Sequence, residues 1–237
     1  MEQVFHSNIE LFFTEKVENN YFFLDHQETK HAVSVLRKKN GDVIYATDGK
    51  GNIFKGLIMS VENKILSATI VETYYYEKKF PDITFFVPLL RNKERMRFAL
   101  EKLTELGFTN IVVYSSKRTI PNKFNFDKWQ KIIRAALKQS LNTHLPELVY
   151  LPRIHEYSKQ VSGTNILLDQ AGYLSPANFL KDFSFNNKYN IFVGPEGDFT
   201  EEEKMLINPE FIIKLAENRL RSETAVISFA SLIALLK

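Results

Sequence analysis

Two short stretches in the C-terminal third hold the residues whose types and spacing could do chemistry. The first is Val193-Gly194-Pro195-Glu196-Gly197-Asp198-Phe199-Thr200. Two glycines around Pro-Glu make a stiff loop, poor in side chains, whose backbone can approach a ligand closely. It leads into a helix start marked by Thr200 and Glu203, the spacing of a capping box, with three successive glutamates, Glu201 to Glu203. A loop built for phosphate would keep that helix terminus free for the anion and offer Lys or Arg. This acidic start suits a ligand that is neutral or cationic near the loop, such as a nucleoside or a sulfonium. Taken alone, Gly-Pro-Glu-Gly is also simply a tight turn.

The second stretch is Leu215-Ala216-Glu217-Asn218-Arg219-Leu220-Arg221-Ser222-Glu223-Thr224-Ala225. Ser222 reads as a helix cap. Arg219 and Arg221 need another reason, because cations oppose the positive end of a helix dipole; solvated arginines are the plain alternative. Parallel α/β sheets present ligands at the carboxyl ends of their strands. Two such loops about 20 residues apart in sequence argue for one composite site more strongly than either alone.

The elements that must position these loops alternate between strand and helix. Ile83 to Leu89 is an apolar run of strand length, and Ile111 to Tyr114 is another. Asn165 to Asp169, Tyr189 to Val193 and Phe211 to Leu215 complete the set, without the alternation of a half-exposed sheet. A helix is expected from about Asn92, with Met96, Ala99, Leu100, Leu103 and Leu106 on one face and Gly107 as its stop. Asp127 to Leu141 places Trp129, Ile132, Ile133, Ala136, Leu137 and Leu141 on one face, with Lys131, Arg134 and Lys138 turned largely away. Ser175-Pro176 opens a further helix, and Ser222 to Leu236 is the last. The pattern predicts an α/β domain with a mainly parallel sheet.

Residues 1 to about 72 differ: they are strand-rich and punctuated by turns. Val43 to Tyr45, the turn Asp48 to Asn52, and Ile53 to Ile58 read as a hairpin, and Val61 to Val71 adds a strand or two. A small β-barrel or sandwich is expected, and the aromatic and charged stretch Glu72 to Pro81 reads as the connection. The boundary is placed between residues 73 and 80, giving domains 1–73 and 80–237.

Composition bounds the chemistry. The 237 residues are 44% hydrophobic and 25% charged, which suits a folded chain with a real core. Cysteine is absent, so disulfides and thiolate zinc sites are excluded, and the five histidines (His6, His26, His31, His144, His155) lack ligand spacing. No metal is expected, and of the alternatives oxygen-ligated magnesium alone stays open. The start MEQVFHSNIELFF carries acids early and lacks a basic segment before an apolar one, and no run nears the roughly 18–20 apolar residues of a membrane span. The expected location is the cytoplasm. Net charge is +3, unevenly spread: residues 1–75 hold 8 Lys/Arg against 10 Asp/Glu, whereas Lys78 to Lys138 holds 14 against 5. That excess suits a polyanionic partner, although solvated helix faces would also produce it.

The motifs together resemble those of the RsmE-type 16S ribosomal RNA (uracil-N3) methyltransferases of the SPOUT superfamily, over nearly the full length. His31-Ala32-Val33-Ser34-Val35-Leu36-Arg37, Gly41-Asp42 and Asp48-Gly49-Lys50-Gly51 are similar to that family's first-domain pattern. Lys102 to Gly107, Ser116-Lys117-Arg118 and Trp129 to Ser140 follow in order, and Gly194 to Gly197 and Leu220 to Ala225 are the strongest matches. The chain departs from the family at Asp198 and Ala216, where glycine is usual, and at Asn218, where arginine is usual.

The resemblance implies a PUA-like RNA-binding barrel followed by a SPOUT α/β methyltransferase domain with a C-terminal trefoil knot, in a homodimer. It implies S-adenosylmethionine as cofactor, bound by Leu168, Gly194, Pro195, Glu196, Gly197, Leu215, Ala216, Asn218, Leu220, Thr224 and Ala225. By the same analogy the substrate is 16S ribosomal RNA of the small subunit, methylated at uracil N3. Arg221 would stabilise the developing charge, and Glu223 or Glu196 would accept the N3 proton or organise the loops by pairing with Arg219 or Arg221. Arg91, Lys93, Arg95, Arg97 and Arg118, with Lys30, His31 and Arg37 of the barrel, are the candidate RNA contacts. Two rivals are a non-catalytic RNA-binding protein of this fold, and a SPOUT methyltransferase acting on another RNA position.

Overall fold

The computed structural model describes residues 9–119, 123–159 and 162–237. His6 and the first residues of the N-terminal stretch read for a targeting segment lie outside them. The chain divides into two compact units. One holds the described residues up to Lys78 together with Arg134–Leu145, and the other holds Lys79–Ile133 and Pro146–Lys237.

In the first unit six strands form one sheet: β1 (Leu11–Phe13), β2 (Lys16–Glu18), β3 (Tyr21–Leu24), β4 (Val43–Thr47), β5 (Asn52–Glu62) and β6 (Ile65–Tyr75). Their order is β1-β4-β5-β6-β3-β2. β1 pairs with β4 in parallel and the remaining pairs are antiparallel. The ends of this order, β1 and β2, are consecutive in the chain but are not paired, so the sheet is a half-barrel with a seam instead of a closed barrel. Thr14 sits at that seam. Its amide donates to the Thr47 carbonyl (2.9 Å), and its hydroxyl lies 2.8 Å from the Phe23 carbonyl. Register shifts in β5 at Lys55/Gly56 and Ile58/Ser60 mark bulges, which bend a strand and add twist. Phe12, Phe22, Leu24, Ile44, Phe54, Ile58 and Leu66 fill the inside. β6 runs on to Tyr75, so Glu72 to Tyr75 of the expected connection are strand.

A short helix, α1 (His26–Lys30), is capped by Asp25 and runs into a π-helical turn over His31–Val35. The last turns of helix Phe126–Gln139 belong to this unit. Arg134 and Lys138, expected to face solvent, are used there. Arg134 pairs with Glu15 at 2.5 Å and lies over the Phe13 ring, and Lys138 pairs with the buried carboxylate of Glu28.

The second unit has six parallel strands: β7 (Ile83–Pro88), β8 (Asn110–Tyr114), β9 (Glu147–Leu151), β10 (Thr164–Leu168), β11 (Tyr189–Val193) and β12 (Phe211–Ile213). Their order is β12-β10-β11-β7-β8-β9. The central β11 is buried at every position, its one amide, Asn190, donating to Asn165 Oδ1 at 3.0 Å. β9 was not foreseen, because this half-buried edge strand carries a short apolar pattern beside Pro146. The helices are α2 (Lys93–Glu105), α3 (Phe126–Gln139), α4 (Pro176–Phe179), α5 (Glu201–Ile207) and α6 (Ser222–Ala234). Asn92 caps α2 by accepting from Glu94 N and Arg95 N, and Met96, Ala99, Leu100 and Leu103 are buried beneath it. Gly107 follows at φ +91°, a conformation that costs a residue with a Cβ. No helix among the described residues is long and apolar enough to cross a membrane.

Candidate active site

The loops leaving β10, β11 and β12 meet at the carboxyl ends of their strands, where the topology predicts a ligand. They enclose a cleft of about 380 Å³, within the usual range for small-molecule sites. Leu168, Gly194, Pro195, Glu196, Leu215, Ala216, Leu220 and Ala225 line it, with Arg221 beside them. Gly197, Asn218 and Thr224 do not line it and are exposed. Asp169, Gln170, Asp198, Arg219, Ser222 and Arg95 complete much of the polar wall. Among the described residues no cluster of His, Asp or Glu could hold a metal ion.

Backbone geometry explains why this surface is concave. A Cβ built on Gly194 would be in ordinary contact with the Leu168 carbonyl oxygen at 3.8 Å and the Phe199 ring at 3.9 Å. The missing side chain therefore leaves a cradle between a main-chain carbonyl and an aromatic ring. The Gly194 carbonyl is held by the Ser222 hydroxyl at 2.7 Å, and the Val193 carbonyl by the buried Tyr114 hydroxyl at 2.6 Å. Burial, with the Glu203 carboxylate nearby, pushes the Tyr114 phenol well above its ordinary pKa, so it stays a neutral donor. Ser222 is thus not a helix cap. It is the first residue of α6, Arg221 occupies the cap position without a side-chain bond, and the hydroxyl ties two cleft loops together.

The neighbouring walls are fixed in the same way. The Gln170 amide donates to the carbonyls of Ala216 (3.2 Å) and Glu217 (2.9 Å). Asp169 pairs with Lys204 at 3.1 Å, a contact that raises the Lys204 pKa. Gly172 passes so close to β12 that a Cβ there would meet Lys214 N at 2.5 Å. The capping box at α5 is present in full, and buried Glu203 also accepts the Lys117 amide at 2.7 Å.

Asp198 sits at φ +58°, in the left-handed region that favours glycine. Asp tolerates that region better than most residues because its short side chain can bond locally. Here its carboxylate lies 3.4 Å from the Arg219 guanidinium, which also donates to the Glu196 carbonyl at 3.2 Å. Arg219 thereby straps one cleft loop to the other, at an exposed position where the ion pair adds little stability.

The cleft carboxylates do not pair as expected. Glu196 and Glu223 both face Arg95: Nη1 lies 3.4 Å from Glu196 Oε1, and Nε lies 3.4 Å from Glu223 Oε1. Arg221 has no side-chain partner among the described residues and is exposed at the cleft.

Residues 77–234 match the RNA methyltransferase domain family. The chain belongs to that family. Residues 24–71 match the RNA methyltransferase PUA domain, which covers most of the half-barrel. The ribosomal RNA small subunit methyltransferase E of Aquifex aeolicus (strain VF5) is 27% identical over 237 residues, spanning 94% of this chain and 98% of that protein. Among solved structures, a predicted RNA methyltransferase from Thermotoga maritima is 32% identical, with a TM-score of 0.74 and coverage of 96% and 98%. The ribosomal RNA small subunit methyltransferase E of Neisseria gonorrhoeae, bound to S-adenosyl methionine, shares the fold at 24% identity. Its TM-score is 0.84 over 97% of this chain and 98% of that one.

In this RNA methyltransferase the residues expected to contact RNA fall into two groups. Arg91, Lys93, Lys30 and Arg37 are exposed and have no side-chain partner among the described residues. The others are engaged within the protein. Arg97 pairs with Glu101 at 2.7 Å, Arg118 donates to the Gly197 carbonyl at 2.9 Å, His31 lies 3.9 Å from Glu10, and Arg95 forms part of the cleft wall. Sequence reasoning missed the structural work of Ser222 and Gln170 and the cleft position of Arg95. Ser222 was masked by its strong cap signal. Arg95 joins a residue 101 positions away, which no local pattern reveals.

Proposed function

We propose that this protein transfers the methyl group of S-adenosylmethionine to N3 of a uracil in small-subunit ribosomal RNA. The observation that carries the reading is the cleft at the ends of β10, β11 and β12, with the cradle that the missing Gly194 side chain leaves in it. Loops at 168–170, 194–197 and 215–225 would hold the cofactor through main-chain groups. The cleft wall sets Asp169, Glu196 and Asp198 against Arg95, Arg219 and Arg221, a balanced set of charges. The bound cofactor supplies an electrophilic methyl on a sulfonium. As the bond to N3 forms and the bond to sulfur breaks, the N3 proton must leave and a neutral thioether remains.

The chain's own part is position and electrostatics. Arg221, exposed at the cleft and unpaired among the described residues, would bind the base's carbonyl oxygens as charge spreads onto them. Glu196, at the cleft wall, and Glu223, behind Arg95, are the carboxylates of the site. Residues 1–73 serve as the RNA-binding domain and 80–237 as the transferase. Arg91 and Lys93, with Lys30 and Arg37, supply phosphate contacts, so affinity for RNA should fall steeply with salt. The close crossing of 170–174 over β12 accords with a trefoil knot, and a cytoplasmic homodimer completes the reading.

The test is transfer from labelled S-adenosylmethionine onto small subunits lacking the modification, followed by nucleoside mass spectrometry. N3-methyluridine is expected. A methylated ribose or another base would assign the enzyme to a different RNA position, and absence of both transfer and cofactor binding would favour a non-catalytic RNA-binding protein.

A further inference from the structure

Arg95 stands apart from the other cleft residues. The rest of the lining comes from the loops after β10, β11 and β12, the end of β12 and the start of α6; Arg95 alone comes from the first turns of α2. It continues a run of cations, since Arg91 and Lys93 precede it and are exposed and unpaired among the described residues. Its side chain is one-third exposed, and two of its edges are held: Nε by Glu223 and Nη1 by Glu196. A guanidinium has five N–H groups in a rigid fork, and those on Nη2 have no partner among the described residues.

Glu223 is the reverse case. Its side chain is only 10% exposed, it does not line the cleft, and its Oε2 is buried without a hydrogen-bond partner. A carboxylate that accepts a substrate proton must come within about 2.6–3.2 Å of it. Glu223 lies outside the cleft lining, and its buried carboxylate is only half satisfied, an arrangement that costs stability. Its one ionic contact among the described residues is Arg95.

We propose that Arg95 is a second substrate-facing cation of this cleft, and that Glu223 is its positioning residue and not the proton acceptor. The inference rests on the methyltransferase reading above. Glu223 fixes the Nε edge, so the free edge of the fork is presented to a carbonyl oxygen of the uracil as N3 loses its proton to solvent. Glu196, across the Nη1 edge, limits rotation about the remaining bond. Arg221 and Arg95 would then approach the base from α6 and α2.

The experiment is a double-mutant cycle in the full-length protein. It uses single-turnover methyl transfer onto small subunits lacking the modification, with cofactor binding by calorimetry and thermal melting on each variant. Arg95→Ala should slow transfer by about 100-fold while cofactor affinity changes by less than about 3-fold. Glu223→Gln keeps the shape and should slow it by about 10-fold, leaving the pH at which the rate rises unchanged. Once Arg95 is absent, Glu223→Gln should cost nothing further, because a positioning residue acts only through its partner. If Arg95→Ala melts early, Arg95→Lys carries the same test, since an ammonium cannot bridge two carboxylates and present a fork.

Four results would overturn the inference: multiplicative losses in the double variant, a pH limb erased by Glu223→Gln, wild-type rates in Arg95→Ala, or a raised KM for the subunit with kcat intact. A wild-type protein that binds cofactor but transfers no methyl group would overturn the functional reading itself; an active wild type with any of the four would overturn only this inference.

Discussion

Two carboxylate–cation pairs, one in each unit, are built to different standards. In the half-barrel, Glu28 is nearly buried, and both of its oxygens are used. One meets Lys138, and the other accepts the Phe13 amide at 3.4 Å. In the transferase unit, Glu223 is equally buried, but among the described residues its single ionic contact is long and one oxygen has no partner. A satisfied buried pair holds a fold together, whereas a half-satisfied one marks a place where the fold has been shaped for something else. The arginines differ too: Arg134 lies over Phe13 and against Glu15, while Arg221 is exposed at the cleft and has no side-chain partner among the described residues.

The comparison sets the order of expected effects. Glu28→Ala strands the Lys138 ammonium in a largely buried site and should cost about 3 kcal/mol of stability, read from urea denaturation, with the cleft's cofactor affinity intact. A loss below about 1 kcal/mol would place that pair with ordinary surface bridges. Arg221→Ala has the opposite signature. It should leave the melting temperature unchanged and slow methyl transfer about 100-fold, with cofactor affinity within about 3-fold. Equal losses in rate and cofactor affinity would mean that Arg221 holds the cofactor and not the developing charge.

Smaller effects sharpen the same contrast. Burial, helped by the nearby Lys78 charge and opposed by Asp48, lowers the pKa of His144 in the first unit. The folded state therefore disfavours its protonation. The stability this represents is complete above the unfolded value, near 6.5, and is lost as pH falls through the lower folded value. His144→Gln should flatten the stability–pH curve in that window, and an unchanged slope would remove His144 from the account. Asp198→Gly is expected to have the smallest effect, a gain of up to about 1 kcal/mol as backbone strain at φ +58° is relieved. A clear loss of stability would show that the strap to Arg219 contributes more than an exposed ion pair normally does.

The parts of the molecule legible in the sequence are those governed by local rules. The strands of the parallel sheet appear as apolar runs because burial on both faces leaves no room for alternation, and β11 matches its expected span, Tyr189 to Val193. The Thr200–Glu203 box and the Gly107 stop follow from the chemistry of helix ends. The two cleft loops were recognisable because glycine, proline and unexplained arginines interrupt strand-to-helix turns. What remained hidden depends on partners distant in sequence. Ser222 looks like a cap until the Gly194 carbonyl arrives to take its hydroxyl. Lys138 looks solvated until Glu28 is folded against it. The strand-rich first unit is legible as such, whereas strand pattern specifies inward and outward faces but not whether β1 and β2 pair across the seam.

The central claim is that the cleft around Gly194 receives S-adenosylmethionine, and calorimetric titration of wild type and Gly194→Val tests it most directly. A Cβ at this position makes only ordinary contacts, with the Leu168 carbonyl and the Phe199 ring, so the variant should fold. The account predicts saturable binding to the wild-type protein and at least a tenfold weaker affinity in the variant, about 1.4 kcal/mol or more. Equal affinity in both proteins, or no binding by the wild type, would contradict it.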